Sequence, residues 1–261
     1  MIEVRHLTRT YLSRRSPKSK EPFVSVNDVS FSLLENTPYA LVGESGSGKS
    51  TLAMMLAAIL PPTNGEILLD GNNIWALSPK ELRLMHGEVQ LVLQNSQGAL
   101  DPRRRIYESI AEPLRKLRHL TRQEEQHTVH DILHKVQLQD DILMRFPSEL
   151  SGGQQSRVCI ARAMALAPRL VIFDESVSGL DVTVQKKVLD LLLDLRQEYQ
   201  STFLFITHDI DVALYMADNI FVMKEGKIVE SITDAHGYDD FNHPYSRELI
   251  ESLPPKTPYN R

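Results

Sequence analysis

The most chemically pointed stretch of the chain is Gly43-Glu44-Ser45-Gly46-Ser47-Gly48-Lys49-Ser50, followed by Thr51. It matches G-x-x-x-x-G-K-[ST] in full, with the apolar run Tyr39–Val42 before it and a helical pattern after it. Glycines let a backbone wrap closely, so that successive amide hydrogens point inward at phosphate oxygens. The start of the next helix adds unpaired donors and a positive dipole. In this arrangement Lys49 reaches β- and γ-phosphates, and the Ser50 hydroxyl ligates Mg²⁺.

A second constellation lies far along the chain, where the apolar residues Leu170–Phe173 end in Asp174-Glu175. A run this apolar suits a strand buried on both faces, and ligands of parallel sheets sit at the carboxyl ends of their strands. Asp174 is then placed to hold Mg²⁺, and Glu175 to polarise a water aimed at a γ-phosphate. An apolar run followed by two acids is common at strand ends. The phosphate loop is what gives this one its meaning.

These residues need elements to hold them. Strand patterns cover Ile2–Leu7, Val26–Leu33, Tyr39–Val42, Ile67–Leu69, Val89–Leu93, Leu170–Phe173, Phe203–Thr207 and Ile220–Met223. Helical patterns cover about 49–60, ended by Pro61-Pro62, then 122–136, a stretch after Ser151, and 184–195. Residues 13–22 read as an exposed loop, and the stretch from about 95 to 148 reads as a mainly helical insertion. The 261 residues are enough for a sizeable core. A net charge of −5 argues against a chain built to grip nucleic acid, so no nucleic-acid partner is expected. The single cysteine excludes an internal disulfide. No apolar run approaches the roughly 20 residues of a membrane-spanning helix, and residues 1–5 lack the apolar stretch of a signal peptide, so neither is expected.

Leu150-Ser151-Gly152-Gly153-Gln154, 20 residues before Asp174, resembles the signature of ATP-binding-cassette (ABC) ATPases. The resemblance covers nearly the whole chain and keeps the family's order: residues 43–50, Gln94, 150–154, Asp174-Glu175, Ser178-Gly179-Leu180-Asp181 and His208. It implies an α/β fold: a phosphate-loop NTPase core with a mainly parallel sheet, an N-terminal antiparallel β subdomain and a helical signature subdomain. One cassette is expected over 1–250, with its core in 1–94 and about 160–230, its helical part in about 95–160, and a short tail over 231–261.

The cofactors implied are ATP and Mg²⁺. Lys49, Glu175 and His208 are the implied catalytic groups, His208 contacting the γ-phosphate and steadying Glu175. Ser50, Asp174 and Gln94 are the implied metal contacts. Ser151 caps a helix whose first amides, left open by Gly152 and Gly153, form an anion site. The resemblance implies that Ser151, Gly152, Gly153 and Gln154 serve ATP held by a second subunit, and that Asp181, in the D-loop, is a further nucleotide contact. Tyr11 stacks on adenine or packs in the core. The family's SALD reads Ser178-Gly179-Leu180-Asp181 here, and the text after Gln94 also departs from the importer pattern.

With one cassette, no fused membrane segment and no sustained heptads between Gln94 and Ser151, a transport subunit is favoured over a soluble regulatory ATPase acting on nucleic acid or ribosomes. Residues 99–103, Glu112-Pro113-Leu114 and His243-Pro244-Tyr245-Ser246-Arg247-Glu248-Leu249 resemble the dipeptide, oligopeptide and nickel importer group. The implied partners are a second ATPase subunit, identical or not, two membrane permeases and, indirectly, an extracytoplasmic binding protein. The implied place is the cytoplasmic face of the inner membrane.

Three weaker features stay open. His127, His130 and His134 share a helix face that chelates a metal or is simply solvated. Arg103-Arg104-Arg105 contacts the membrane partner or forms a solvated turn. Cys159 reads as packing.

Overall fold

The computed structural model describes residues 1–12, 22–93, 96–176 and 181–253. The expected 13–22 loop lies outside these residues except for Pro22, which already belongs to a strand. Chain order runs β1 (Ile2–Leu12), β2 (Pro22–Leu33), β3 (Pro38–Val42), α1 (Lys49–Leu56), β4 (Asn64–Leu69), β5 (Asn72–Asn73), α2 (Pro79–Glu88) and β6 (Val89–Val92). It continues with α3 (Ser96–Ala99), α4 (Ile106–Leu117), α5 (Arg122–Lys135), α6 (Gly152–Met164), β7 (Leu170–Asp174) and α7 (Val182–Tyr199). The last elements are β8 (Thr202–Thr207), α8 (Ile210–Met216), β9 (Asn219–Lys224), β10 (Lys227–Ile232) and α9 (Pro244–Glu251).

Among the described residues the strands form two sheets. One is antiparallel, ordered β2-β1-β4-β5. The other is ordered β10-β9-β3-β8-β7-β6 and is parallel from β9 to β6, with β10 added antiparallel at the edge. The fold class expected from the sequence is the one observed.

Side chains of the parallel strands alternate between two cores, as a period of two requires. Tyr39, Leu41, Leu170, Ile172, Leu204 and Ile206 face α1 and the antiparallel sheet. Ala40, Val42, Val171, Phe173, Phe203 and Phe205 face the helical side. There Phe173, Phe203 and Phe205 pack ring to ring, with centroids 5.0 to 5.8 Å apart. Burial on both faces explains why these strands read as unbroken apolar runs.

The helix after the phosphate loop is shorter than expected. It ends at Leu56, well before Pro61-Pro62. Ala58 turns left-handed at φ 53°, its N–H donates to Met55 O at 3.1 Å, and the Ile59 N–H donates to Met54 O at 2.9 Å. That is a Schellman closure, which satisfies the last carbonyls without help from proline. The segment expected as a tail continues β10 and then forms α9, whose Tyr245 is only 3% exposed.

Candidate nucleotide site

The strand order decides what meets at the site. β3 and β7 both flank β8, with Val42 opposite Thr207 and Asp174 opposite Ile206. The phosphate loop, His208 and Asp174-Glu175 therefore leave from three neighbouring strand ends, on the carboxyl edge where α/β sheets bind ligands.

The loop conformation requires glycine at two close approaches. A Cβ on Gly48, which sits at φ 109°, would stand 2.1 Å from Ser25 O, and one on Gly43 would stand 2.2 Å from Met223 O. Lys49 is 5% exposed and folds back over the loop. Its Nζ donates to Gly43 O at 2.7 Å and to Glu44 O at 2.8 Å. Burial lowers its pKa, and the nearby Glu175, Asp174 and Glu44 charges oppose that shift.

The Ser50 hydroxyl donates to Asp174 Oδ1 at 3.2 Å. Burial raises the pKa of Asp174, as does the Glu175 charge, against the Ser50 hydrogen bond and Lys49. A hydroxyl in contact with a buried carboxylate gives two hard oxygen donors, and a buried carboxylate is the group a divalent cation relieves. The pair fits Mg²⁺.

Glu175 sits at φ 46°, held by its N–H donating to Ile206 O at 2.9 Å. That turn brings its Oε1 to 3.4 Å from His208 Nδ1. The Glu175 side chain is 17% exposed and that of His208 is 57% exposed. Glu175 borders two cavities. One of about 320 Å³ is lined by Ser45, Gly46, Gly48, Lys49, Ser50 and Thr51 together with Phe23 and Ser25. The other, of about 210 Å³, has Phe173, Gln185, Thr207, His208 and Asp209 in its wall.

Sequence reasoning missed two residues here. Phe23, the cross-strand partner of Tyr11, is 58% exposed and lines the phosphate-loop cavity. Tyr11 is not in that lining and lies under Arg9, 4.9 Å from the ring centroid to the guanidinium carbon. Ser25 donates to Thr51 Oγ1 at 2.9 Å. An exposed phenylalanine beside a strand start carries no signal of its own; only the β1–β2 register reveals it.

Residues 151–154 are absent from that lining and form their own N-terminus on α6. Ser151 Oγ accepts the Gln154 N–H at 3.3 Å, and Gln154 Oε1 accepts the Ser151 N–H at 2.9 Å. This is a capping box. Gly152 faces open space, while a Cβ on Gly153 would meet Val184 Cγ1 at 2.9 Å. Asp181 caps α7, accepting the Val184 N–H at 3.1 Å. Gln94 and residues 178–180 lie outside the described residues.

The remaining features resolve into local structure. His130 Nδ1 and His134 Nε2 both bond to Asp140 Oδ1, at 2.8 and 3.0 Å, and His127 is exposed. Among the described residues no group of three or more His, Cys, Asp or Glu is arranged to hold a metal ion. Arg103 and Arg104 pair with Asp101, Arg104 also with Glu112, and Arg105 donates to Met144 O. Cys159 is buried, and burial raises its thiol pKa. Among the described residues no helix is long and apolar enough to cross a membrane.

Comparison with known proteins identifies the family and the fold. Residues 26–178 match the family model described as ABC transporter. A probable peptide ABC transporter ATP-binding protein of Sinorhizobium fredii is 39% identical over 99% of this chain and 74% of its own length. A nickel import ATP-binding protein of Brucella abortus is 38% identical over 99% of this chain and 97% of its own. The fold superimposes on a dimeric, post-hydrolysis structure of the ATP-binding cassette MJ0796 bound to ADP and Pi. That match has a TM-score of 0.79 and 29% identity, over 90% of this chain and 99% of the other. The chain belongs to the ABC transporter family.

Proposed function

We propose that this chain is the ATP-binding and hydrolysing subunit of an ABC importer for peptides or for nickel chelates. The observation that carries this reading is the convergence at one sheet edge: Lys49, Ser50 and Glu175 line one phosphate-loop cavity, Asp174 is bonded to Ser50, and His208 meets Glu175 from the adjoining cavity. The likeness to peptide and nickel import subunits over nearly the full chain supports the importer assignment over a regulatory ATPase.

The amides of residues 45–50 hold the phosphates of ATP, and Lys49 reaches the β- and γ-phosphates. Ser50 and Asp174, with Gln94, would hold Mg²⁺, which would neutralise charge on the phosphate oxygens. Glu175 orients a water for attack on the γ-phosphorus. The bond to the leaving oxygen breaks, giving ADP and phosphate. His208 keeps Glu175 and the γ-phosphate in register. Tyr11 and Phe23 flank the adenine.

The capped N-terminus of α6 supplies open amides to an ATP held by a second cassette, with Asp181 at the same junction. ATP binding closes the pair and hydrolysis reopens it, which drives two permease subunits from the cytoplasmic face of the membrane. Uptake of a labelled dipeptide and of nickel by a deletion strain tests the assignment. Loss of one of these, restored by the wild-type chain and not by Glu175→Gln, is expected. Full uptake of both without the chain contradicts it.

A further inference from the structure

The stretch His243–Leu249 carries no nucleotide motif, yet it reaches the phosphate loop. Tyr245, at the start of α9, is almost wholly buried, with Lys224 Nζ lying 4.3 Å from its ring centroid. Its hydroxyl accepts the Glu44 N–H at 3.1 Å. That N–H belongs to the same peptide unit as the Gly43 carbonyl, which accepts from Lys49 Nζ at 2.7 Å.

In a trans peptide the C=O and the N–H leave opposite edges of one plane. The unit is therefore gripped by the Lys49 ammonium on one edge and by the Tyr245 phenol on the other. The two grips act on opposite edges of one rigid plane, so together they set its tilt.

The phenol is itself well anchored. Glu230 on β10 accepts the Asn242 N–H at 2.6 Å, the His243 N–H at 2.9 Å and the Ser246 hydroxyl. The Tyr245 N–H closes the helix start on His243 Nδ1 at 3.2 Å. A second tie holds the loop from the same side, where Ser47 O accepts the Gly226 N–H at 2.9 Å.

We propose that Tyr245 is a positioning residue for Lys49: by holding the Gly43–Glu44 peptide it fixes the carbonyl cradle from which the ammonium meets the phosphates. This rests on the reading of Lys49 as a phosphate contact. Loss of the phenol leaves Lys49 in place and loosens only its cradle, so the expected effect falls on ATP binding more than on turnover.

The test compares the full chain with Tyr245→Phe and Ser246→Ala. Tyr245→Phe removes only the acceptor; Ser246→Ala loosens the same helix while keeping the phenol. In Tyr245→Phe we expect faster amide hydrogen exchange at Glu44, an ATP KM raised about three- to tenfold, and kcat within about twofold of wild type. In Ser246→Ala we expect a lowered Tm with an unchanged KM.

Unchanged Glu44 exchange and KM in Tyr245→Phe overturn the role of Tyr245. So does a rise in KM that follows the loss of Tm equally in both variants. If the wild-type chain fails to bind ATP, the proposed function falls and takes this role with it. If the wild-type chain binds ATP and Tyr245→Phe is indistinguishable from it, only the role of Tyr245 falls.

Discussion

Asp174 is the proposed site residue under the clearest electrostatic tension. Its carboxyl titrates above the ordinary value of 3.8 because burial disfavours the charge. Between 3.8 and that raised value the folded chain binds more protons than the unfolded one, so stability falls as pH rises through this window. The penalty is complete above it. Asp174→Asn should therefore raise the Tm of the nucleotide-free protein at neutral pH, and should remove most of the further stabilisation that Mg²⁺ with ATP gives the wild type. Thermal melts with and without Mg²⁺ and ATP measure both effects. Glu175→Gln should keep ATP affinity and reduce turnover by about a hundredfold or more, the scale of a lost general base; equilibrium binding beside steady-state hydrolysis separates the two. The identities of both acids were legible in the sequence. What was not legible is the left-handed turn at Glu175 that brings its carboxylate to His208, because a bond from its N–H to Ile206 on another strand decides it.

The loops and helix ends decide whether those residues can act. Gly48→Ala would drive a Cβ to 2.1 Å from Ser25 O at a φ that side chains rarely adopt. We expect it to abolish ATP binding and to destabilise the fold by about 1–3 kcal/mol or more, read from denaturant midpoints. Element types were mostly legible because the parallel strands are apolar on both faces and α7 carries its stripe at 3.6-residue spacing. Boundaries were less so. Pro61-Pro62 marks a later end for α1 in the sequence, but the backbone closes that helix on itself at Ala58. The signal for α2 stood in Ser78-Pro79-Lys80-Glu81, a capping box with proline at the first helical position, now seen in Ser78 N–H donating to Glu81 Oε2 at 2.9 Å. No local pattern marks α9 as part of the phosphate loop's support, since that contact spans 201 residues of sequence.

At the scale of the whole molecule, the capped N-terminus of α6 and the phosphate-loop cavity are separate features of one chain. In the proposed reading a second cassette facing this one joins them; the MJ0796 cassette, which shares this fold, is dimeric and bound to ADP and Pi. Ser151→Arg should then leave ATP binding by the single chain near wild type while preventing nucleotide-driven dimerisation, with sedimentation of a Glu175→Gln background as the readout. The decisive measurement is the rate of ATP hydrolysis per chain across a dilution series, with the oligomeric state determined at each concentration. The shared-site account predicts a rate that falls towards zero as the chain becomes monomeric and returns when the chain is concentrated or a partner cassette is added. A rate per chain that stays constant in a strictly monomeric sample would contradict it.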